Sequence, residues 1–77
     1  MTERSAAAEL VEFIAKAIVT DAAAVRVREP EPHELELETA QDDRGRVIGR
    51  QGRVAKAMRV VLAASRAGAD YRLEIVD

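Results

Sequence analysis

The sequence predicts an α+β fold in which a three-stranded mixed sheet carries its helices on one face. Two segments repeat apolar residues at three- and four-residue spacing, which is typical of amphipathic helices. Three others alternate apolar and polar residues, which is typical of strands with one buried and one wet face. A further short helix completes the order α-β-β-α-α-β, and this order favours a two-layer sandwich.

Residues 5–19 are predicted to form the first helix. Ser5 is a suitable N-cap, and residues 20–21 provide a plausible end. Phe13 is therefore expected in the core with the other members of the apolar stripe. That stripe consists of Leu10, Phe13, Ile14, Ala17 and Ile18.

The alternating segments 25–28 and 34–38 predict two antiparallel strands joined by a short loop. Residues 29–33 are assigned to that loop, because Pro30 and Pro32 cannot donate to a strand ladder. Residues 71–75 predict the third strand. Two helices connect it to the second strand, and a crossover of this length favours a parallel pair with the second strand in the centre. The buried face is predicted to carry Val25, Val27, Leu35, Leu37, Leu73 and Ile75.

Two helices are predicted between the second and third strands. The first covers residues 42–48 with Asp42 as its cap, and the second covers residues 53–67 with Gly68 as its C-terminal cap. Along the second helix, one line of side chains is formed by Val54, Met58, Val61 and Ser65. Another arc is basic and consists of Arg53, Lys56, Arg59 and Arg66.

Composition limits the class of protein. Seventy-seven residues allow one domain, here residues 1–77, and the absence of cysteine excludes disulfides and thiolate metal sites. The longest apolar run is five residues, 60–64, so no membrane span is predicted and a cytoplasmic protein is expected. Fifteen alanines leave a small core of larger side chains, which favours oligomerisation as added stabilisation.

Enzymatic activity is not predicted. His33 is the only histidine and lies in the proline-flanked loop, where a turn residue is the ordinary interpretation. The row Glu34, Glu36 and Glu38 has the spacing of a solvated strand face. The chain has no Walker loop and no G-x-G-x-x-G motif, so no catalytic residue, cofactor or metal ion is expected.

Charge is divided unevenly along the chain, although the net charge is only −2. Residues 1–43 hold eleven acidic and four basic residues, whereas residues 44–66 hold seven basic residues and no acidic one. Such a block can bind a polyanion, and it can equally be a solvated helix face that balances the acidic half.

The basic block contains Gly49 and Gly52 at G-x-x-G spacing, between two predicted helices. A spacing of this kind alone also fits a plain turn between helices. The context favours phosphate binding, because glycine lets a sugar-phosphate chain approach the backbone and the following helix presents free N–H groups.

The run of residues 45–53, Gly-Arg-Val-Ile-Gly-Arg-Gln-Gly-Arg, resembles the signature of the KH domain. The element order resembles the type II, prokaryotic form. Nearly the whole chain resembles the small stand-alone bacterial KH proteins of the KhpA type, including residues 10–17 and residues 73–77. KH domains clamp about four nucleotides with this loop, so the resemblance implies a non-catalytic protein that binds single-stranded RNA.

The resemblance also assigns roles. Gly49 and Gly52 would shape the loop, and Arg50 and Gln51 would lie against phosphates. Val47 and Ile48 would form the groove floor or its support, and Ile48 could equally point into the core. The residues that would flank the RNA backbone are Arg46, Arg53 and Lys56. Arg59 and Arg66 are assigned to general surface charge. The edge of the central strand, which carries Leu35 and Leu37, would form the other groove wall.

Acidic residues between 25 and 38 and the scarcity of aromatic residues both predict modest RNA affinity, micromolar or weaker for a monomer. The resemblance implies a homodimer, a heterodimer with a larger KH-containing protein of the KhpB, Jag or EloR type, and a role as RNA chaperone or regulator linked to cell growth and division. Two alternatives remain open: an adapter with a KH fold and vestigial RNA binding, and a helix-turn-helix protein that binds duplex DNA.

Overall fold

The computed structural model describes residues 4–76; residues 1–3 and Asp77, which the sequence places in the same domain, lie outside that range. The helices are α1 (Ala6–Ile18), α2 (Arg44–Ile48) and α3 (Arg53–Ala64), and the strands are β1 (Arg26–Glu31), β2 (Glu34–Glu38) and β3 (Arg72–Ile75). Short 3₁₀ turns occupy Ala22–Ala24, Gln41–Asp43 and Arg50–Gly52. The predicted fold class and element order are confirmed.

The sheet order is β1-β2-β3, with β1 antiparallel and β3 parallel to the central strand β2. Leu37 lies opposite Val27 on one side and Ile75 on the other, so the predicted pairing is confirmed. Both edges of β2 are therefore occupied. The prediction that the edge of the central strand forms a groove wall is wrong, because among the strands of residues 4–76 only β1 and β3 have a free edge.

Strand β1 continues through Pro30 to Glu31, where the sequence predicted a loop. The pairing shifts register between Arg28 and Glu31, and β1 lies at the edge of the sheet. Proline is tolerated at edges and irregularities, because the ladder does not need its missing N–H there. The turn is thereby reduced to Pro32 and His33, and His33 adopts a φ of 68°.

The core lies between the sheet and the helices. Leu35, Leu37 and Leu73 are buried on the helix-facing side of the sheet, as predicted, and Val25 is buried just before β1. Helix α1 contributes small and branched residues: Ala7, Ala8, Val11 and Ala15. Phe13, predicted to be in the core, is 74% exposed, because α1 turns its alanine-rich side toward the sheet. The Ser5 cap is confirmed by a 3.0 Å hydrogen bond from the Ala8 N–H to its hydroxyl.

Helix α3 buries Ala55, Met58 and Leu62, a line that shares Met58 with the predicted one. Val61, which the prediction placed on the same line, is 48% exposed. The helix ends at Ala64, with Ser65 as its C-cap. Gly68 is not the cap. A Cβ there would lie 2.8 Å from the Leu62 carbonyl oxygen, so this glycine permits the close approach of the following loop to α3.

Helix α2 begins at Arg44 after the 3₁₀ turn Gln41–Asp43, so Asp42 does not cap it. The neighbouring Asp43 is the buried charged residue of the described chain, with 1% of its surface exposed. Its carboxylate accepts hydrogen bonds from Thr20 and Asp21, which follow α1. Within residues 4–76, no helix combines the length and the apolar character needed to cross a bilayer.

Candidate nucleic-acid interface

The loop between α2 and α3 has an unusual backbone. Gly49 ends α2 with φ 77° and ψ 170°, and its N–H donates to the Gly45 carbonyl at 2.8 Å. Gln51 (φ 57°, ψ 25°) and Gly52 (φ 74°, ψ 14°) are both left-handed. The Gly52 N–H donates to the Gly49 carbonyl at 3.1 Å and closes the turn. The chain therefore passes from α2 to α3 through a tight turn of four residues.

The two glycines of the loop are required for different reasons. At Gly49 a Cβ would lie 2.8 Å from the Val54 nitrogen, and the backbone conformation is one that essentially only glycine adopts. At Gly52 a Cβ would meet open space, so only its positive φ favours glycine. Gly49 thus holds the loop against α3, and Gly52 leaves the outer surface of the loop free for a ligand.

The side chains of Arg50 and Gln51 are exposed at the tip of this loop. Arg53, in the first turn of α3, is also exposed and donates to the Gln51 Oε1 at 3.3 Å. The first turn of a helix leaves N–H groups without intrahelical partners and carries a partial positive charge. Cationic side chains and backbone donors therefore converge at one place, and this combination suits a phosphate group.

The neighbouring residues Val47 and Ile48 differ in their exposure to solvent. Val47 is fully buried, so its side chain supports the loop from the core and has no surface to offer a ligand. Ile48 is 36% exposed and lies beside the loop on the surface. The open choice for Ile48 between groove and core is thereby resolved in favour of the surface.

The predicted flanking residues Arg46 and Lys56 are both exposed. Arg46 lies on α2 with its Nε 3.6 Å from the Asp43 Oδ1, so the buried carboxylate partly orients it. Lys56 lies three residues after Arg53 on α3. The structure therefore brings the predicted loop residues and flanking cations together around the α2–α3 junction.

Arg59 was assigned from sequence to general surface charge, but its head group has a definite position. The Arg59 Nε donates to the Leu73 carbonyl of β3 at 3.0 Å. This contact joins α3 to the free edge of the sheet. The recurrence of basic residues at 53, 56 and 59 indicated that Arg59 belongs to the basic side of α3. The sequence around Arg59 does not indicate its partner, because Leu73 lies fourteen residues further along the chain.

Acidic residues are segregated from the loop. Glu34, Glu36 and Glu74 alternate with the buried leucines, so they lie on the sheet face opposite the helices. Arg28 partly balances them through an ion pair with Glu36 at 3.5 Å. The part of the predicted acidic region that belongs to β2 is therefore on the sheet face opposite the loop.

Among residues 4–76, the pKa values of two carboxyl groups, those of Asp43 and Glu12, are lowered. Thr20 and Asp21 donate to Asp43, and the Thr20 backbone N–H is the largest cause that holds the pKa of this carboxyl below its usual value. Lys16 and Arg4 bind Glu12 and lower its pKa. Neither group lies in the loop.

Among residues 4–76, no cluster of three or more histidines or carboxylates is arranged to hold a metal ion. His33 packs its ring on Tyr71, with centroids 4.9 Å apart, in keeping with the predicted turn role.

Comparison with known proteins places this loop in a family. The family model described as KhpA/KhpB, KH domain, matches residues 8–75. A protein named RNA-binding protein KhpA from Borreliella burgdorferi is 42% identical over 74 residues, which cover 90% of each chain. The protein of the same name from Halalkalibacterium halodurans is 47% identical over 73 residues, or 88% of this chain and 96% of the relative. That of Caldanaerobacter subterraneus is 47% identical over 60 residues, or 74% and 80%.

No solved structure is similar enough in sequence to count as a match. The family match nevertheless spans every described helix and strand except the first two residues of α1, and it includes the complete loop between α2 and α3. The resemblance noted in the sequence is thus confirmed over most of the chain. This chain belongs to the KhpA/KhpB family of KH domains.

Proposed function

We propose that this protein is a non-catalytic, single-stranded RNA-binding protein that clamps the RNA backbone with the loop Gly49-Arg50-Gln51-Gly52. The observation that carries the proposal is the pair of positive-φ glycines that expose Arg50 and Gln51 at the start of α3. Further support comes from the names of the relatives, each of which is an RNA-binding protein.

In this proposal the phosphates lie on the loop and the bases lie toward the sheet. Arg50 and Gln51 hold one phosphate together with the N–H groups of the first turn of α3. Arg46, Arg53 and Lys56 flank the neighbouring phosphates. Ile48 offers its exposed aliphatic surface to a base, while Val47 supports the loop from below.

The deciding experiment is fluorescence anisotropy with a labelled, unstructured RNA of mixed sequence. The double variant Arg50→Asp, Gln51→Asp is compared with the wild type after circular dichroism shows that both are folded. The matched control is Arg66→Asp, Ala67→Asp, which makes the same change in charge at two exposed neighbouring residues beyond α3. We expect the loop variant to lose at least about tenfold in affinity and the control to lose about twofold or less.

Equal losses in the two variants would mean that net charge, rather than the loop, carries the affinity. Absence of wild-type binding at low salt would favour the adapter alternative, and preference for duplex DNA would favour a helix-turn-helix function. With about three phosphate contacts, the logarithm of affinity should fall with the logarithm of salt at a slope of about −2.

The remaining parts of the proposal concern assembly and context. We propose that residues 1–77 act as a single cytoplasmic KH domain and that the protein is a homodimer, since doubled sites compensate weak monomer affinity. Val60 and Val61, which are 63% and 48% exposed on α3, support an association surface. We also propose, on the strength of family membership, that the protein pairs with a larger KH protein of the KhpB type and acts as an RNA chaperone or as a regulator of growth and division. Light scattering of wild type and a Val60→Glu, Val61→Glu variant tests the homodimer.

A further inference from the structure

Lysine is rare in this chain. Of its twelve basic residues, ten are arginines and two are lysines, Lys16 and Lys56. A lysine amine that has lost its proton is a nucleophile and can be acetylated, whereas the guanidinium of arginine stays protonated. Acyl transfer to a side-chain amine can therefore take place at two positions, and the structure gives these two amines different surroundings.

The amine of Lys16 is bound to its own helix. Its Nζ lies 2.6 Å from the Glu12 Oε2, one turn earlier on α1. Glu12 also binds Arg4, and Glu9 lies in the first turn of the same helix. The Lys16 amine therefore has a carboxylate in direct contact, which occupies one of its donors and repels an anionic reagent.

Lys56 is exposed on α3, and its amine has no hydrogen bond or ion pair to any residue that the structure describes. Residues three apart on a helix are surface neighbours, with Cβ atoms about 5–6 Å apart, so Lys56 lies between Arg53 and Arg59. These two arginines have partners of their own, one in the loop and one on β3. No acidic residue occurs in the sequence between 44 and 66. The Lys56 amine is therefore open to solvent and lies among positive charges.

These cationic surroundings select the kind of acyl donor. An acyl phosphate is a small anion with a reactive carbonyl carbon, and positive side chains raise its local concentration. In the transfer, the unprotonated Nζ of Lys56 forms a bond to the carbonyl carbon, and the bond from that carbon to the phosphate oxygen breaks. Its electron pair leaves with inorganic phosphate, and the nitrogen releases a proton to solvent. The product is a neutral amide, so one positive charge is lost from α3.

We propose, on the basis of the proposed function, that Lys56 is an Nε-acetylation site at which an acyl phosphate lowers the affinity of the protein for RNA. An arginine would hold a phosphate at this position without being acetylated, so the lysine adds a means of control. Acetylation removes the charge-assisted hydrogen bond from Lys56 to the RNA backbone and the counterion release that accompanies it. The loop residues Arg50 and Gln51 are unchanged, so affinity is reduced and not abolished.

The first experiment measures which amine reacts. The full chain is incubated with acetyl phosphate, and peptide mass spectrometry follows the acetylation of Lys56 and Lys16 over time. We expect Lys56 to react at least about threefold faster, because only Lys16 has a carboxylate in contact. Saturating unstructured RNA should slow the reaction of Lys56 and leave that of Lys16 unchanged. Equal rates at the two lysines, or no protection of Lys56 by bound RNA, would overturn the proposal.

The second experiment measures the consequence for RNA binding. Protein with acetyl-lysine at position 56 alone, introduced during translation, is compared with protein acetylated at position 16 alone, and circular dichroism checks that both are folded. We expect acetylation at 56 to weaken binding about fivefold and to reduce the salt slope by about 0.7. Acetylation at 16 should change the affinity by about twofold or less, since Lys16 lies on α1 outside the loop and its flanking cations.

A further variant connects the reagent to this amine. Lys56→Arg keeps the positive charge and removes the nucleophile. Treatment with acetyl phosphate should therefore weaken RNA binding by wild type and leave the affinity of Lys56→Arg equal to its own value before treatment. An equal loss in wild type and in Lys56→Arg would show that another amine is responsible and would sink the idea.

Failure of the clamp gives a different result. If Arg50→Asp, Gln51→Asp binds RNA as tightly as wild type, the clamp is wrong, whichever lysine reacts. If that variant loses binding and acetylation at Lys56 leaves the affinity unchanged, the clamp stands and only the assignment of Lys56 falls.

Discussion

Thr20 is joined twice to the Oδ1 of Asp43, by its backbone N–H at 3.0 Å and by its hydroxyl at 2.8 Å. The N–H of Asp21 donates to the other carboxylate oxygen at 3.0 Å. These bonds tie the segment after α1 to the residue that precedes α2. Because α2 leads directly into the loop, this contact helps to set where the loop stands on the fold.

Replacement of Asp43 should therefore destabilise the whole domain. Asp43→Ala leaves the N–H groups of Thr20 and Asp21 without their acceptor, and hydrogen bonds to a charged acceptor are the stronger kind. We expect the midpoint of thermal unfolding to fall by at least about 5 °C. Asp42→Ala, at an exposed neighbour of the same charge, should change it by about 2 °C or less. Similar shifts in the two variants would contradict this role of Asp43.

The same carboxylate predicts an acid-sensitive step in stability. Hydrogen bonds from Thr20 and Asp21 lower the pKa of Asp43 in the folded protein. The unfolded chain then binds the proton more readily, so this stabilisation is present above the unfolded pKa of about 3.9 and is lost as pH falls toward the lower folded value.

Thermal unfolding of wild type and Asp43→Asn between pH 7 and pH 2.5 measures this step. The difference between their midpoints should be constant above about pH 5 and shrink below about pH 4. Glu12→Gln is the control, because its pKa is also lowered but through exposed partners, Lys16 and Arg4. Removal of the Glu12 carboxylate should leave most of the pH dependence in place. A midpoint difference that persists to pH 2.5 would argue against Asp43 as its source.

The two loop glycines should differ in their cost of substitution. In Gly49→Ala the new Cβ would clash with Val54, and the backbone conformation is one reserved for glycine. We therefore expect the free energy of unfolding to fall by about 2–4 kcal/mol. In Gly52→Ala the new Cβ would lie in open space, so only the left-handed backbone conformation is unfavourable. We expect the free energy of unfolding to fall by about 1–2 kcal/mol. Urea unfolding measures both losses. Gly52→Asn should recover part of the loss, since asparagine tolerates this region, and equal losses at both glycines would conflict with the geometry.

The exposure of Phe13 predicts that its substitution is nearly neutral for stability. Phe13→Ser should change the free energy of unfolding by less than about 0.5 kcal/mol, because the two residues also have similar helix propensity. Leu37→Ala, at a fully buried position, should cost about 2–5 kcal/mol. Urea unfolding of both variants decides the point, and a Phe13→Ser loss in the range of the Leu37→Ala loss would place Phe13 in the core after all.

Much of the fold could be predicted, because its local patterns agree with its packing. The alternation around Leu35 and Leu37 predicted the central strand, and the crossover length predicted its parallel partner. Phe13 was misplaced, because a helical periodicity identifies large apolar residues, whereas α1 packs its alanine side on the sheet. Pro30 was misplaced, because its tolerance depends on an edge position that only the assembled sheet defines.

The site was predictable only where it is local. The spacing of Gly49 and Gly52 marked the loop, although the left-handed conformation of Gln51 left no trace in the sequence. The contact of Arg59 with Leu73 is tertiary, and it depends on which edge of the sheet α3 overlies. Residue types thus indicate what kind of ligand the loop suits. Which further side chains lie near the loop depends on the tertiary packing of α3 against the sheet.

The separation of charge across the sheet has a consequence for how RNA arrives. The glutamates of β2 lie on the sheet face opposite the helices, whereas Arg46 and Arg50 are exposed on the helix side, at and beside the loop. A polyanion in solution exerts a torque on such a dipole before any contact forms. We therefore expect the protein to approach a polyanion with Arg50 toward it and Glu36 away from it. The net charge of −2 hides this orientation, which shortens the search for productive encounters and weakens as the ionic strength rises.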